Sequence, residues 1–122
     1  MAPNIDQHHV IDHTDGSEMN EKRNVLVESA RIARGDIRSL REVTPADIDA
    51  LVLPGGFGAA KNLSSWAFEG PKGTILSEVK LILVNMVNVG KPICALCVSP
   101  TLVAKAFEDS DIQPILTMGS DK

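Results

Sequence analysis

The chain has 122 residues, 43% of them apolar and 23% charged, with 16 acidic side chains against 12 Lys and Arg and a net charge of −4. That length suits a single domain, and an acidic balance with scattered cations excludes an electrostatic nucleic-acid surface. Two Cys cannot build a disulfide framework, and apolar runs such as Leu81 to Val84 are too short to cross a membrane.

Residues 1–21 hold Asp6, Asp12, Asp15, Glu18 and Glu21 and no Lys or Arg. Secretory and mitochondrial leaders are basic at this end, so these residues carry no readable address and point to the cytoplasm. Val10 and Ile11 form a short apolar patch that reads as a strand, followed by a loop through Asp15-Gly16-Ser17.

From Asn20 to Arg34 the pattern turns helical. Val25, Ser29 and Ile32-Ala33 recur at three- and four-residue spacing, with Leu26 and Ala30 widening the face. Gly35 stops it after two cations. Thr44-Pro45-Ala46-Asp47 places an N-cap before a Pro at the first helical position, which predicts a short helical turn.

Residues 50–54 are continuously apolar and end at Pro54-Gly55-Gly56. Such a run predicts a strand buried on both faces, as in a parallel sheet. Residues 74–89 predict a helix with Ile75, Val79, Ile82, Met86 and Val89 along one stripe and Gly90 as its stop. Pro92 to Leu96 predict a second buried strand and Pro100 to Phe107 a third helix. Ile112 to Met118 predict a last, edge-like strand containing Pro114. Alternating strands and helices mean an α/β layer fold with right-handed crossovers.

Two places could carry chemistry. Gly55-Gly56-Phe57-Gly58 directly follows a strand, where glycines let backbone N–H groups face an anion. It lacks the Walker pattern, and Lys61 stands where a dinucleotide fingerprint needs Gly or Ala. A plain tight turn and an oxyanion loop remain open. The second place is Ala95-Leu96-Cys97-Val98-Ser99-Pro100. Here a Cys ends a strand just before a helix, with small residues at minus two and plus two. That spacing suits a sharp strand-to-helix turn with Cys97 as nucleophile and Ala95 and Ser99 as its flanks. The helix macrodipole favours a thiolate there. The competing reading is a buried structural Cys.

Cys94 and Cys97 spell C-x-x-C, but strand geometry sets them about 10 Å apart on opposite faces. No metal site or cofactor is expected. His8, His9 and His13 read as solvated side chains at a hairpin edge.

Pro54 to Ser64, Arg23 to Gly35, and Gly90 to Pro100 each resemble a sequence block of the ES1 / ElbB-like family, also called glutamine amidotransferase-like class 1 domain proteins, within the DJ-1/PfpI superfamily. The blocks stand in family order and span residues 2–119. The resemblance implies a partial flavodoxin-like, class I glutamine amidotransferase-like sandwich, with a mostly parallel sheet and helices on both faces. It implies a cofactor-independent glyoxalase- or deglycase-like activity on small aldehydes or dicarbonyls, with Cys97 on a nucleophile elbow. Gly55, Gly56 and Val98 would then supply oxyanion donors. It also implies a mitochondrial location, against the acidic N-terminus.

The departures set up a second expectation. Set against that family, residues 1–122 form one incomplete domain, without the first strand, its acidic residue, and the C-terminal part. Cys94 stands where a small residue is usual, and Val98 replaces the His of hydrolytic relatives. Without a central strand, residues 50–54 and 92–97 pair directly or another chain supplies the strand. An inactive isoform, a redox-sensing module, a homo-oligomer and a complex with a full-length paralogue are therefore the alternatives.

Overall fold

The computed structural model describes residues 1–119 and divides into two compact units, Met1–Val43 and Thr44 onward.

The first unit is held by isolated backbone bridges. Leu40 N–H donates to the Ala2 carbonyl at 2.9 Å, and Gln7 N–H donates to Arg23 O at 2.8 Å. Ala2, Val10 and Leu40 are its buried apolar side chains. At Val10 and Ile11 the expected strand is only a bridge, Ile11 to Glu18, closing a hairpin loop. Within that loop the Asp12 carboxylate accepts from Thr14 Oγ1 at 2.6 Å and Thr14 N–H at 2.8 Å. Asp15 accepts from Ser17 N–H at 2.8 Å. These bonds favour the ionised form and hold both carboxyls below the usual carboxylate range, chiefly through the Thr14 and Ser17 side chains.

Helix α1 spans Val25–Ala33, shorter than expected at its start. Asn24 caps it, its side chain accepting from Val27 N–H at 3.1 Å. The preceding residues are extended because Asp6 and Asn24 are bridged. Arg34 adopts φ 54° and Gly35 φ 84°, so the left-handed reversal starts one residue before the expected Gly. Ile32, placed on the apolar face by periodicity, is instead exposed.

The second unit carries the α/β layer. Thr44 and Asp47 form a reciprocal cap around the 3-10 turn Pro45–Asp47, with both Thr44 N–H and Thr44 Oγ1 donating to Asp47 Oδ2 at 2.8 and 2.7 Å. Strand β1 is Leu51–Leu53 and strand β2 is Ile93–Ala95. They pair directly and in parallel, Leu51 with Ile93 and Leu53 with Ala95. Between them lie a π-helical turn at Ala59–Leu63, the short helix α2 at Trp66–Glu69, and helix α3 at Ser77–Asn88. Helix α3 starts later than expected because residues 74–76 bond back to the chain. Ser65 N–H donates to Thr74 O at 3.0 Å and Leu76 N–H to Leu63 O at 2.9 Å. Gly90, at φ 69°, ends α3 as expected. Lys91 N–H returns to Met86 O and Gly90 N–H to Val87 O, both at 3.0 Å, satisfying the last-turn carbonyls.

Helix α4 occupies Pro100–Phe107, the predicted span. The core is α3 against α4: Val79, Ile82, Leu83 and Met86 meet Leu102, Val103, Ala106 and Phe107. Leu83 replaces the expected Val89, which is exposed.

Two expectations about the sheet are overturned. The strands are not buried on both faces: Leu51 and Leu53 are, but Val52 is 57% exposed and its register partner Cys94 is exposed. Residues 112–118 form no strand, and Ile115 is fully exposed. Pro114 lacks an N–H, and a strand needs a neighbour for its remaining groups.

Candidate active site

The parallel register creates the site. Leu96 N–H extends the ladder by donating to Leu53 O at 3.0 Å, which brings the chain after β1 against the chain after β2. Beyond this bond both segments reverse. Gly55 and Gly56 take φ 90° and 83°, and Cys97 takes φ 58°. Two glycines adopt that region readily; Cys97 is a non-Gly residue held there, a conformation that costs energy and clusters at functional turns. The reversal closes when Ser99 N–H donates to Leu96 O at 2.9 Å, and helix α4 begins at Pro100.

Gly55 touches this turn closely. A methyl on its Cα would stand 2.6 Å from Leu96 O, 2.8 Å from Cys97 Cβ and 3.3 Å from Val98 N. Only a residue without Cβ fits. Gly56, by contrast, has open space around the same position. Among the described residues no acceptor pairs with the N–H groups of Gly55, Gly56 or Val98. Three sequence-predicted residues, Gly55, Cys97 and Val98, are thus brought together, and Gly56 borders them.

Cys97 is exposed, which removes the reading of a buried structural thiol. The flanks fit the tight turn. Ala95 is half-buried, and Ser99 is fully buried at the start of α4. Ser99 Oγ has no hydrogen-bond partner among the described residues. Cys94 is also a free, exposed thiol.

The His side chains lie in the first unit. His8 and His9 stack edge to face at 4.5 Å, and His9 Nε2 sits 4.0 Å from Glu18 Oε2. Among the described residues no three His, Cys, Asp or Glu side chains gather to hold a metal ion, and no helix is long and apolar enough to cross a membrane.

Two neighbours of the glycine turn escaped the sequence analysis as site residues. Phe57 is 80% exposed, and Lys61 Nζ lies 5.5 Å from its ring centroid. The i, i+4 spacing of Phe57 and Lys61 was the available signal.

No family model matches the chain. It is 47% identical over 113 residues to the human glutamine amidotransferase-like class 1 domain-containing protein 3, mitochondrial, covering 92% of this chain and 42% of that protein. It is 46% identical to the rat ES1 protein homolog, mitochondrial, over the same shares. The zebrafish mitochondrial ES1 protein is 29% identical over 127 residues, which cover 100% of this chain and 46% of that one. Among solved structures it is similar to an isoprenoid biosynthesis protein with an amidotransferase-like domain from Ehrlichia chaffeensis. The TM-score is 0.80 at 42% identity, over 88% of this chain and 50% of that chain. The chain thus spans about half the length of the relatives it matches, or slightly less. Its parallel strands and flanking helices are part of a flavodoxin-like α/β fold. By sequence and by fold, the chain belongs to the ES1 / ElbB-like family of glutamine amidotransferase-like proteins.

Proposed function

We propose that Cys97 is a thiol nucleophile on an elbow and that it adds to small aldehydes and dicarbonyls, in glyoxalase- or deglycase-like chemistry without a cofactor. The observation that carries this reading is the packing of Gly55 against Cys97 Cβ and Val98 N, with Cys97 held at positive φ. That arrangement exposes a sulfur at the start of α4 and sets unpaired backbone N–H groups beside it. In the addition step a C–S bond forms while the carbonyl π pair moves to oxygen. The N–H groups of Val98 and the Gly55-Gly56 segment stabilise that oxygen, which then takes a proton to give a hemithioacetal. The role of Ala95 and Ser99 is steric: larger flanks would open the turn.

The test is protection of each thiol from iodoacetamide by methylglyoxal, resolved by mass spectrometry. Cys97 should be protected reversibly, recovering on dilution, while Cys94 keeps its rate. Equal protection of both thiols, or none at Cys97, overturns the assignment. Cys97→Ser should abolish the protected signal without changing Cys94.

A second reading is favoured by one observation. Val52, Cys94 and Leu96 are all exposed on or just beyond the two-stranded sheet. An uncovered sheet face supports association, with a second copy or with a full-length paralogue. It predicts an unfolding midpoint that rises with protein concentration. The mitochondrial designations of the relatives support a mitochondrial location, which fractionation of cells expressing the native protein would test.

A further inference from the structure

Strand β2 pairs on one side, and its other edge opens into a cleft. Leu51 N–H donates to Pro92 O and Leu96 N–H to Leu53 O, both at 3.0 Å. Peptide groups along a strand turn to alternate sides, so those of residues 92, 94 and 96 face β1. The N–H and C=O groups of Ile93 and Ala95 face the opposite edge, and among the described residues no partner meets them there. A cleft of about 540 Å³ lies along this edge, within the usual size range of small-molecule sites. Ile93, Cys94 and Ala95 all line it, although successive side chains point to opposite faces of a sheet. The cleft therefore wraps the edge and is not confined to one face. Val103 and Phe107 of α4 and Leu116 also line it, and among the described residues no charged side chain does. Cys94 brings a free, exposed thiol to its wall.

We propose that this cleft is a second site, at which Cys94 captures apolar α,β-unsaturated carbonyl compounds, the alkyl enals and enones. The thiol is the nucleophile, the edge N–H groups of Ile93 and Ala95 are donors for the carbonyl oxygen, and the uncharged walls take the alkyl tail. The Cys94 sulfur gives its proton to water and forms a C–S bond to the β-carbon. The C=C π pair shifts, and charge collects on the carbonyl oxygen beside the edge N–H groups. The α-carbon then takes a proton from water. The net change is addition of S–H across the C=C bond, with no leaving group and no oxidant. Cys97 takes no part, so this site stands apart from the elbow reading above.

N-methylmaleimide and N-hexylmaleimide test this without any turnover. Both add a thiol at the same ring carbons and differ only in the tail. Mass spectrometry on the native chain gives the rate at each thiol, with Cys97 in the same molecule as the reference. At Cys94 the hexyl reagent should react at least about ten-fold faster than the methyl one, because part of its tail leaves water in the cleft, while at Cys97 the two should agree within about two-fold. Leu116→Asp puts a charge on the wall and should cut the Cys94 preference to below about three-fold. Among the described residues 112–118 join no ladder, so this change spares the rest of the unit, as Trp66 fluorescence would report. The tail comparison on the unaltered chain needs no variant. Equal tail preference at both thiols, none at Cys94, or an unchanged preference in folded Leu116→Asp overturns the proposal, and each leaves carbonyl addition at Cys97 intact.

Discussion

Replacing Gly55 by Ala tests the site's geometry directly. The new Cβ would sit 2.6 Å from Leu96 O and 2.8 Å from Cys97 Cβ. Neither atom can swing aside cheaply. The Leu96 carbonyl accepts the Ser99 N–H at 2.9 Å, and that bond closes the turn. Its amide N–H donates to Leu53 O at 3.0 Å. Two costs therefore add. The left-handed backbone at φ 90° costs an L-residue about 1–2 kcal/mol. Overpacking against backbone costs about 1–3 kcal/mol more. The expected total is about 2–5 kcal/mol. Gly56→Ala is the internal control: its φ is 83°, but no atom lies within 4 Å of the new methyl. It should cost only the backbone share, about 1–2 kcal/mol. Trp66, the one Trp of the chain, lies in the same unit and reports urea unfolding by fluorescence. With a urea m-value near ~1.5 kcal/mol/M, Gly55→Ala should lower the midpoint by roughly 1–3 M and Gly56→Ala by about 1 M. Gly55→Ala should also slow or disorder Cys97 alkylation relative to Cys94. Midpoints that fall together for the two variants would refute the claim that Gly55 is needed for close approach and not merely for its φ.

The remaining predictions concern the frame around that turn. Leu83→Ala removes a side chain with 0% exposure between α3 and α4, and should cost about 2–5 kcal/mol in the same urea assay. Lys91→Met should cost about 1–3 kcal/mol, because Lys91 Nζ donates to Pro45 O at 2.6 Å and Ile48 O at 2.8 Å, tying the Thr44–Asp47 cap to the approach to β2. The Asp12 and Asp15 carboxyls should titrate below the ordinary carboxylate range when followed by NMR, because Thr14 and Ser17 stabilise the ionised forms. Their folded-state values are depressed, so their stabilisation is present above the unfolded value of about 3.9 and is lost as pH falls through the folded one. Thr14→Val should move the Asp12 midpoint back up, and an unchanged midpoint would remove the hydrogen bond as the cause.

Much of this architecture was legible locally. Pro100 at a first helical position and the apolar spacing of Leu102, Val103 and Ala106 specified α4 residue for residue. Gly90 marked the end of α3, and Thr44-Pro45 marked the capped turn. Each of these signals acts within about four residues, through caps, fixed φ and side-chain periodicity. The small flanks of Cys97 likewise announced a sharp turn, and the turn is there at φ 58°. The family resemblance rested on the same segments, and the relatives at 46–47% identity bear it out.

What the chain's pattern misplaced depends on distant partners. Residues 112–118 are as apolar as a strand, yet among the described residues they join no ladder. Val52 and Cys94 lie in runs that read as doubly buried, but burial of a strand's second face needs another layer, and among the described residues both side chains stay exposed. Phe57 and Lys61 met only once the backbone after Gly56 had wound into its π-helical turn. The contact that defines the site, Gly55 on Cys97, joins positions far apart in sequence through the register of Leu53 with Ala95. Residue types and spacing determined by themselves that a glycine turn and a cysteine turn would each follow a strand. Only parallel pairing of those strands could decide that the two turns touch, because register is a non-local choice made by the sheet and the core beneath it.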